Sequence, residues 1–76
     1  MQREISPGIV VDPEIRSGRP VIKGTRVPVD VVVSRLATGM TFRDIVEEYE
    51  LTEDDIRSAL AYAANVLASE EVRATA

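Results

Sequence analysis

Apolar positions in the first part of the chain form two short β-branched runs. The run IVVD at residues 9–12 is bounded by turn residues, which is typical of a strand. A second short strand is predicted near residues 20–22, and the two strands would pair as a small hairpin. Pro20 has no N–H to donate to a ladder, so it suits a strand start or a sheet edge.

From about Pro28 onward the apolar positions indicate helices. Proline is favoured at a first helical position, and Gly39 stands where a left-handed residue would close the helix after Thr38. The three valines at residues 31–33 would also suit a strand, because β-branched side chains prefer sheets. A helix is favoured because four apolar residues recur at helical spacing. They are Val29, Val32, Val33 and Leu36.

Two threonines mark the starts of a second and a third helix. Thr41 and Thr52 are each followed three residues later by an aspartate, in the order of a capping box. A short helix, a tight turn and a longer helix form the layout of a helix-turn-helix. We therefore predict a mainly α fold. It is a three-helix, helix-turn-helix-like domain over residues 9–68 with a short N-terminal β element, preceded by a segment at 1–8 and followed by a polar tail at 69–76.

The second half of the predicted third helix is apolar nearly all round. Residues 59–68, ALAYAANVLA, contain one polar residue. Such a helix needs cover on more than one side, and a chain of this size offers little. The pattern predicts an oligomer or partner interface; the alternative is an alanine-rich helix whose exposed alanines have no function. The predicted interface residues are Ala61, Tyr62, Asn65 and Val66.

The 76 residues contain no cysteine and no histidine. Disulfides and thiolate chemistry are therefore excluded, and the commonest general base and metal ligand are absent. Adjacent acids such as Glu47 and Glu48 do not share a helix face, so catalysis by such pairs is not expected. No apolar run reaches the roughly 20 residues of a membrane span, and the N-terminus lacks the order of a signal peptide. We expect a cytoplasmic, non-enzymatic protein without cofactor or metal.

Charge is divided unevenly along the chain. Residues 1–43 carry seven cationic and four anionic side chains, which gives a net charge of +3. Residues 44–76 carry two cationic and nine anionic side chains, which gives a net charge of −7. Together they give the formal charge of −4. Such asymmetry points to nucleic-acid or partner binding, although small domains often carry uneven charge.

The segment SGRPVIKGTRVPV, residues 17–29, has three interpretations. A phosphate loop does not fit, because Gly18 and Gly24 are separated by five residues and Lys23 precedes its glycine. A rigid corner fits well, since glycines accept positive φ, prolines fix φ, and Thr25 can bond its local backbone. A basic arm that follows phosphates is compatible with that corner. The predicted nucleic-acid contacts are Arg16, Arg19, Lys23, Arg26 and Arg43.

Helix three is a poor candidate for reading DNA. In a helix-turn-helix the N-terminal residues of the second helix enter the groove. Here those residues are Glu53, Asp54 and Asp55. The phosphates of DNA would repel their carboxylates. Any DNA contact is therefore expected from the N-terminal corner, and helix three is expected to pack or dimerise.

A long motif in this chain resembles the bacterial and archaeal domain-of-unknown-function 433 family. That family has a pattern similar to Asp-Pro-x-Ile-x-x-Gly-x-Pro-x-Ile-x-Gly-Thr-Arg-x-Pro-Val, followed by helices that end in Ala-x-x-Tyr-Ala. The resemblance covers about residues 9–68. The matching positions are Asp12, Pro13, Ile15, Gly18, Pro20, Ile22, Gly24, Thr25, Arg26, Pro28, Val29, Ala59, Tyr62 and Ala63.

The resemblance implies a helix-turn-helix-like, VapB-like antitoxin, commonly encoded beside a PIN-like nuclease toxin. Such a protein would neutralise the toxin by direct binding and, as a homodimer, repress its own operon. No catalytic residue comes with the family. Many antitoxins end in a long toxin-wrapping segment, whereas only about eight residues follow the predicted last helix. Toxin contact is therefore expected from the acidic face of helices two and three. The alternative is a protein-binding module without DNA contact.

Overall fold

The computed structural model describes residues 1–70. A small sheet precedes three helices, so the mainly helical fold with a short N-terminal β element is confirmed. The likeness to a DNA-binding helix-turn-helix stays a prediction. Most of the predicted polar tail, residues 71–76, lies outside the described residues. The elements are β1 (Arg3–Ser6), β2 (Ile9–Val11), β3 (Val21–Ile22), α1 (Val29–Ala37), α2 (Phe42–Tyr49) and α3 (Glu53–Ala68), with one 3-10 turn at Arg16–Gly18.

The three strands form an antiparallel sheet in the order β1-β2-β3. The predicted pairing of the two β-branched runs is confirmed, with Ile9 opposite Ile22 and Val10 opposite Val21. Strand β1 is not predicted from the sequence, because REIS shows no alternation of apolar and polar residues. It joins the sheet through its backbone pairing with β2 across the turn at Pro7 and Gly8.

The helices pack on one face of this sheet. Ile9 and Ile22 join the helical residues of the core, because directly opposite residues of paired strands point to the same face. The valines at 31–33 are helical, as favoured, and Val32 is fully buried. The core cluster consists of Ile9, Ile22, Val29, Val32, Ile45, Leu51, Ile56 and Ala59.

Both predicted capping boxes are present. The Thr41 hydroxyl accepts from the Asp44 N–H and the Asp44 carboxylate accepts from the Thr41 N–H, both at 3.1 Å. Thr52 and Asp55 repeat this exchange at 3.0 and 3.1 Å. Two donors are thereby satisfied at the start of each helix, where no intrahelical acceptor exists. At the end of α1, Gly39 has the predicted left-handed backbone, with φ of 101°.

A short connection holds α2 and α3 together. Glu50 takes a left-handed backbone with φ of 55°, which turns the chain at the end of α2. Leu51 is then buried at 4% exposure, and its N–H donates to the carbonyl of Val46 at 3.2 Å. The buried leucine therefore fixes the three residues that separate the helices.

The turn between β1 and β2 packs directly on α3. Gly8 has φ of 77°, and a Cβ added there would lie 2.9 Å from Oγ of Ser58. Its carbonyl accepts from the N–H of Lys23 at 2.9 Å, which ties the same turn to the end of β3. Glycine is required at this position both by the backbone conformation and by the close approach of the helix.

Candidate interaction surfaces

Residues 16–29, which contain β3 and lead into the start of α1, form a rigid corner that we call the basic corner. It opens with three consecutive residues of positive φ, namely Arg16 at 51°, Ser17 at 55° and Gly18 at 80°. Such a conformation costs on the order of 1–3 kcal/mol for each non-glycine residue, so the surroundings must hold it. The N–H groups of Gly18 and Arg19 donate to the carbonyls of Ile15 and Arg16, both at 3.1 Å.

Thr25 closes the second turn of the basic corner. Its hydroxyl donates to the carbonyl of Ile22 at 2.7 Å and accepts from the N–H of Val27 at 3.0 Å. The N–H of Thr25 donates to the carbonyl of Ile22, and the N–H of Ile22 donates to the carbonyl of Val27, which completes the turn. The half-buried threonine is thus engaged in the fold, which supports the interpretation of this segment as a structural corner.

Arg19 is held against the start of α1. Its Nη2 donates to both carboxylate oxygens of Asp30 at 2.6 Å. Asp30 lies in the first turn of α1, where the helix dipole favours an anion. The pair is half exposed on the arginine side, so its contribution to stability is small. It does, however, compensate one of the five cations predicted to contact DNA.

Lys23 is compensated in the same way by Glu4 of β1. The ammonium group donates to Oε1 of Glu4 at 3.2 Å, and the N–H of Gly8 donates to Oε2 at 2.9 Å. The Gly8 N–H, and then Lys23, lower the pKa of Glu4 below its ordinary value. Glu4 is therefore charged at neutral pH, and the ion pair links β1 to the basic corner.

The remaining three predicted cations differ in their surroundings. Arg43 lies on α2 and pairs with Glu47 at 3.4 Å. Nε of Arg16 donates to the carbonyl of Arg26 at 3.2 Å, which brings these two residues together across the basic corner. Within residues 1–70, neither of their guanidinium groups forms a salt bridge. Arg16 and Arg26 are thus the cations of the corner best placed for an external anion.

A second surface is acidic; it lies on α2, on α3 and on the connection between them, and its Glu53 and Asp54 line a groove between the two helices. We call it the acidic surface; it comprises Asp44, Glu47, Glu48, Glu50, Glu53, Asp54 and Asp55. The groove has a volume of about 700 Å³ and an apolar floor formed by Phe42, Val46 and Leu51. Arg57 pairs with Glu53 and Asp54 at 3.4 and 3.2 Å, and Arg43, which also lines the groove, pairs with Glu47 at 3.4 Å. These two cations only partly compensate the seven carboxylates, so the surface stays anionic.

The four predicted interface residues lie on different sides of the C-terminal half of α3. Ala61 and Asn65 line a recess against the β1–β2 turn, whereas Val66 faces α1. Tyr62 is half-buried and packs against the core, so its side chain serves the fold. Leu67, which is absent from the predicted set, is 65% exposed.

Val66 and Leu67 line a second groove, which we call the α1–α3 groove. It has a volume of about 350 Å³, and its apolar lining comes from both helices. These lining residues are Val29, Val33, Ala37, Ala63, Val66 and Leu67.

The described part of the chain contains no arrangement typical of a metal site. Within residues 1–70, no group of three or more acidic side chains is placed to hold a metal ion. Over the same range, every buried side-chain nitrogen or oxygen has a hydrogen-bond partner. None of the helices described is long and apolar enough to cross a membrane.

The basic corner and the helices that follow it match a known family model. Residues 9–63 match the model described as "Protein of unknown function (DUF433)". The chain belongs to this family. The match confirms the resemblance seen in the sequence, and it includes the basic corner, α1, α2 and most of α3 of this DUF433 chain.

Two of the matches come from Mycobacterium tuberculosis. The DUF433 chain is 38% identical over 52 residues to the "Putative antitoxin VapB45" of strain ATCC 25618 / H37Rv, a match that covers 68% of this chain and 22% of the relative. It is also similar to the crystal structure of Rv2018, with a TM-score of 0.63 at 38% identity over 68% of this chain and 24% of that one. The chain thus spans about a quarter of the length of these relatives.

A relative from another organism is closer in length to this chain. The crystal structure of a DUF433 member protein from Anabaena variabilis ATCC 29413 has a TM-score of 0.71 at 27% identity. The similarity covers 76% of this chain and 58% of that one. Most of the arrangement of strands and helices therefore recurs in this solved member of the family.

Proposed function

We propose that this DUF433 chain is a non-enzymatic antitoxin that acts in the cytoplasm as a homodimer. It neutralises a PIN-like nuclease by direct binding. The observation that carries the proposal is the 38% identity to a relative named as an antitoxin, over 68% of the chain. The absence of histidine and cysteine from the sequence supports an inert binding role, because the commonest general base and the thiolate nucleophile are missing.

The acidic surface is the proposed contact for the toxin. It combines the features of a specific interface: an apolar floor at Phe42, Val46 and Leu51 with a charged rim. Carboxylates such as Asp54, whose side chain is 95% exposed, would attract a cationic partner and speed its association. Nucleases need cationic surfaces for their own substrates, so an anionic antitoxin surface is complementary to them.

Reversing one rim charge tests this contact. Asp54→Lys is expected to weaken the complex with the nuclease encoded beside this chain by about tenfold, because a rim charge steers association. Growth rescue on co-expression should weaken in parallel, and calorimetry on the purified pair measures the affinity. Glu14→Lys is the matched control, since it makes the same charge change on an exposed turn outside the acidic surface. Equal affinities for the two variants would show that the toxin binds outside the acidic surface. Failure of the unaltered chain to bind the nuclease or to rescue growth would contradict the antitoxin proposal.

A second proposed function is repression of its own operon through the basic corner. Arg16 and Arg26 support it, since they lie together without a salt bridge among the described residues. Arg19 and Lys23 are expected to contribute less, because Asp30 and Glu4 compensate them. The alternative is a protein-binding module that does not touch DNA, which the overall negative charge favours.

Salt dependence separates these alternatives. With DNA from upstream of its own gene as the probe, the double change Arg16→Ala/Arg26→Ala should reduce the slope of log K against log salt by about 2, or roughly 0.9 for each lost phosphate contact. Arg19→Ala/Lys23→Ala should reduce it by less. Arg57→Ala serves as the control, because this arginine lies among carboxylates on α3. No binding by the unaltered chain, or an unchanged slope, would favour the protein-binding module.

A further inference from the structure

The basic corner carries four cations, and carboxylates from outside the corner hold two of them. Arg19 pairs with Asp30 at the start of α1. Lys23 pairs with Glu4 of β1. The corner contains no acidic residue of its own, so its four cations alone would give it a charge of +4. With the two partner carboxylates included, the charge is +2, and the fold therefore halves the positive charge that the corner offers to an anion.

The pair of Arg19 with Asp30 joins two backbone positions that the fold already holds. Asp30 lies in the first turn of α1, and both of its carboxylate oxygens accept from Nη2 of Arg19 at 2.6 Å. The N–H of Arg19 donates to the carbonyl of Arg16 at 3.1 Å, which holds the cationic side as well. Only side-chain rotations are ordered when this pair forms. A phosphate that approaches Arg19 therefore competes with a carboxylate that is tethered at a high effective concentration.

The pair of Lys23 with Glu4 is anchored on both sides by the β1–β2 turn. The Gly8 N–H donates to Oε2 of Glu4 at 2.9 Å, which leaves Oε1 for the ammonium group of Lys23 at 3.2 Å. The Gly8 carbonyl in turn accepts from the N–H of Lys23 at 2.9 Å. The Gly8 N–H, and then Lys23, lower the pKa of Glu4, so the carboxylate keeps its charge at neutral pH.

We propose that the carboxylates of Glu4 and Asp30 compete with DNA phosphates for the two cations that they hold, and so limit the affinity of the basic corner for DNA of any sequence. This inference rests on the proposed binding of DNA by the corner and adds how that binding is restrained. Phosphate contacts carry no sequence information, so the restraint lowers binding to all DNA alike. Arg16 and Arg26, which form no salt bridge within residues 1–70, stay free to contact phosphates.

Exposure indicates that these ion pairs matter more for anion binding than for folding. The four side chains of the two pairs are between 43% and 70% exposed. Pairs as exposed as these contribute little to stability, because water and salt screen them. The same exposure leaves both cations within reach of an external phosphate once the competing charge is removed. Neutralising a carboxylate should therefore strengthen DNA binding and leave the fold intact.

Asp30→Asn and Glu4→Gln test this restraint, because each removes one charge and keeps the shape of the side chain. A glutamine amide oxygen can still accept from the Gly8 N–H, so the β1–β2 turn should be retained. With DNA from upstream of its own gene as the probe, each change should strengthen binding about eightfold at about 0.1 M salt. The slope of log K against log salt should steepen by about 0.9, as for one added phosphate contact. A duplex of unrelated sequence should gain by the same factor.

Glu48→Gln is the matched control for Glu4→Gln. Glu48 is exposed on α2 and forms no salt bridge within residues 1–70. Its replacement makes the same change in net charge but releases no cation, so the salt slope should stay unchanged. Equal gains from the two variants would show a general effect of net charge and would overturn the inference.

A double-mutant cycle tests whether the gain depends on the paired cation. In a chain that carries Arg19→Ala, the further change Asp30→Asn should no longer strengthen binding, because the cation that it would release is absent. A gain of equal size with and without Arg19 would contradict the competition. Lys23→Ala with Glu4→Gln repeats the cycle at the second ion pair, so the answer does not depend on one variant being folded, which circular dichroism checks.

The unaltered chain separates a failure of this inference from a failure of DNA binding. If the unaltered chain binds DNA and the neutral variants bind it no more tightly, the inference is overturned and the proposed repression stands. If neither the unaltered chain nor the variants bind at concentrations up to roughly 1 mM, DNA binding itself is contradicted and the inference fails with it. Binding by the neutral variants alone would support the restraint in its strongest form.

Discussion

Replacing Ile56 by alanine is expected to lower the free energy of unfolding by about 2–5 kcal/mol. Ile56 is fully buried near the start of α3 and belongs to the core cluster that joins the sheet to the helices. The loss combines the transfer free energy of the missing methyl groups with the cavity that they leave. A domain of this length has a total stability of only about 4–11 kcal/mol, so the variant should lose a large fraction of it.

Urea unfolding followed by circular dichroism measures this loss. The protein concentration must be held constant across variants, because the proposed dimerisation would add to apparent stability. Ile5→Ala is the matched control, since it removes the same atoms from a side chain that is 38% exposed, and it should cost about 1 kcal/mol or less. Equal losses for the two variants would contradict the placement of Ile56 in the core.

Gly8→Ala should destabilise the chain by about 2–5 kcal/mol. Part of this loss is backbone strain, because the left-handed conformation at φ of 77° costs a residue with a Cβ about 1–2 kcal/mol. The other part is steric, because the new Cβ would lie 2.9 Å from Oγ and 3.1 Å from Cβ of Ser58. Overpacking of this kind typically costs about 1–3 kcal/mol.

Gly24→Ala separates the two contributions. Gly24 has nearly the same φ, 80°, but an added Cβ there meets no atom within 4 Å. Its loss should therefore be limited to about 1–2 kcal/mol of backbone strain. Adding Ser58→Ala to Gly8→Ala should recover part of the steric loss. If the two glycine variants lost equal stability in thermal melts, the close packing of the β1–β2 turn on α3 would be refuted.

Local sequence signals predicted the helices well because their causes are local. The exchange of hydrogen bonds between Thr41 and Asp44, repeated at Thr52, involves groups three residues apart. Gly39 ends α1 through its own backbone conformation. Such features are encoded within one turn of chain, so the order of the residues is enough to predict them.

The placement of strand β1 and the pairing of the cations of the basic corner with carboxylates depend on contacts between residues that are far apart in the sequence. Glu4 meets Lys23 across 19 positions, and Arg19 meets Asp30 across 11. The run of cations therefore indicates more free positive charge than the folded corner has. Strand β1 is polar and exposed, so its place in the sheet depends on backbone pairing with β2 and leaves little trace in the apolar pattern.

The sequence by itself determined the family, the two capped helix starts, the glycine and threonine turns, and the uneven distribution of charge. Each of these depends on residue type and short spacing, which folding does not change. Only the tertiary structure decided which cations are compensated, and that Tyr62 packs against the core while Leu67 stays exposed. The physical reason is that burial and ion pairing depend on which surfaces meet, and α3 is apolar on so many sides that its periodicity alone could not show which side is covered.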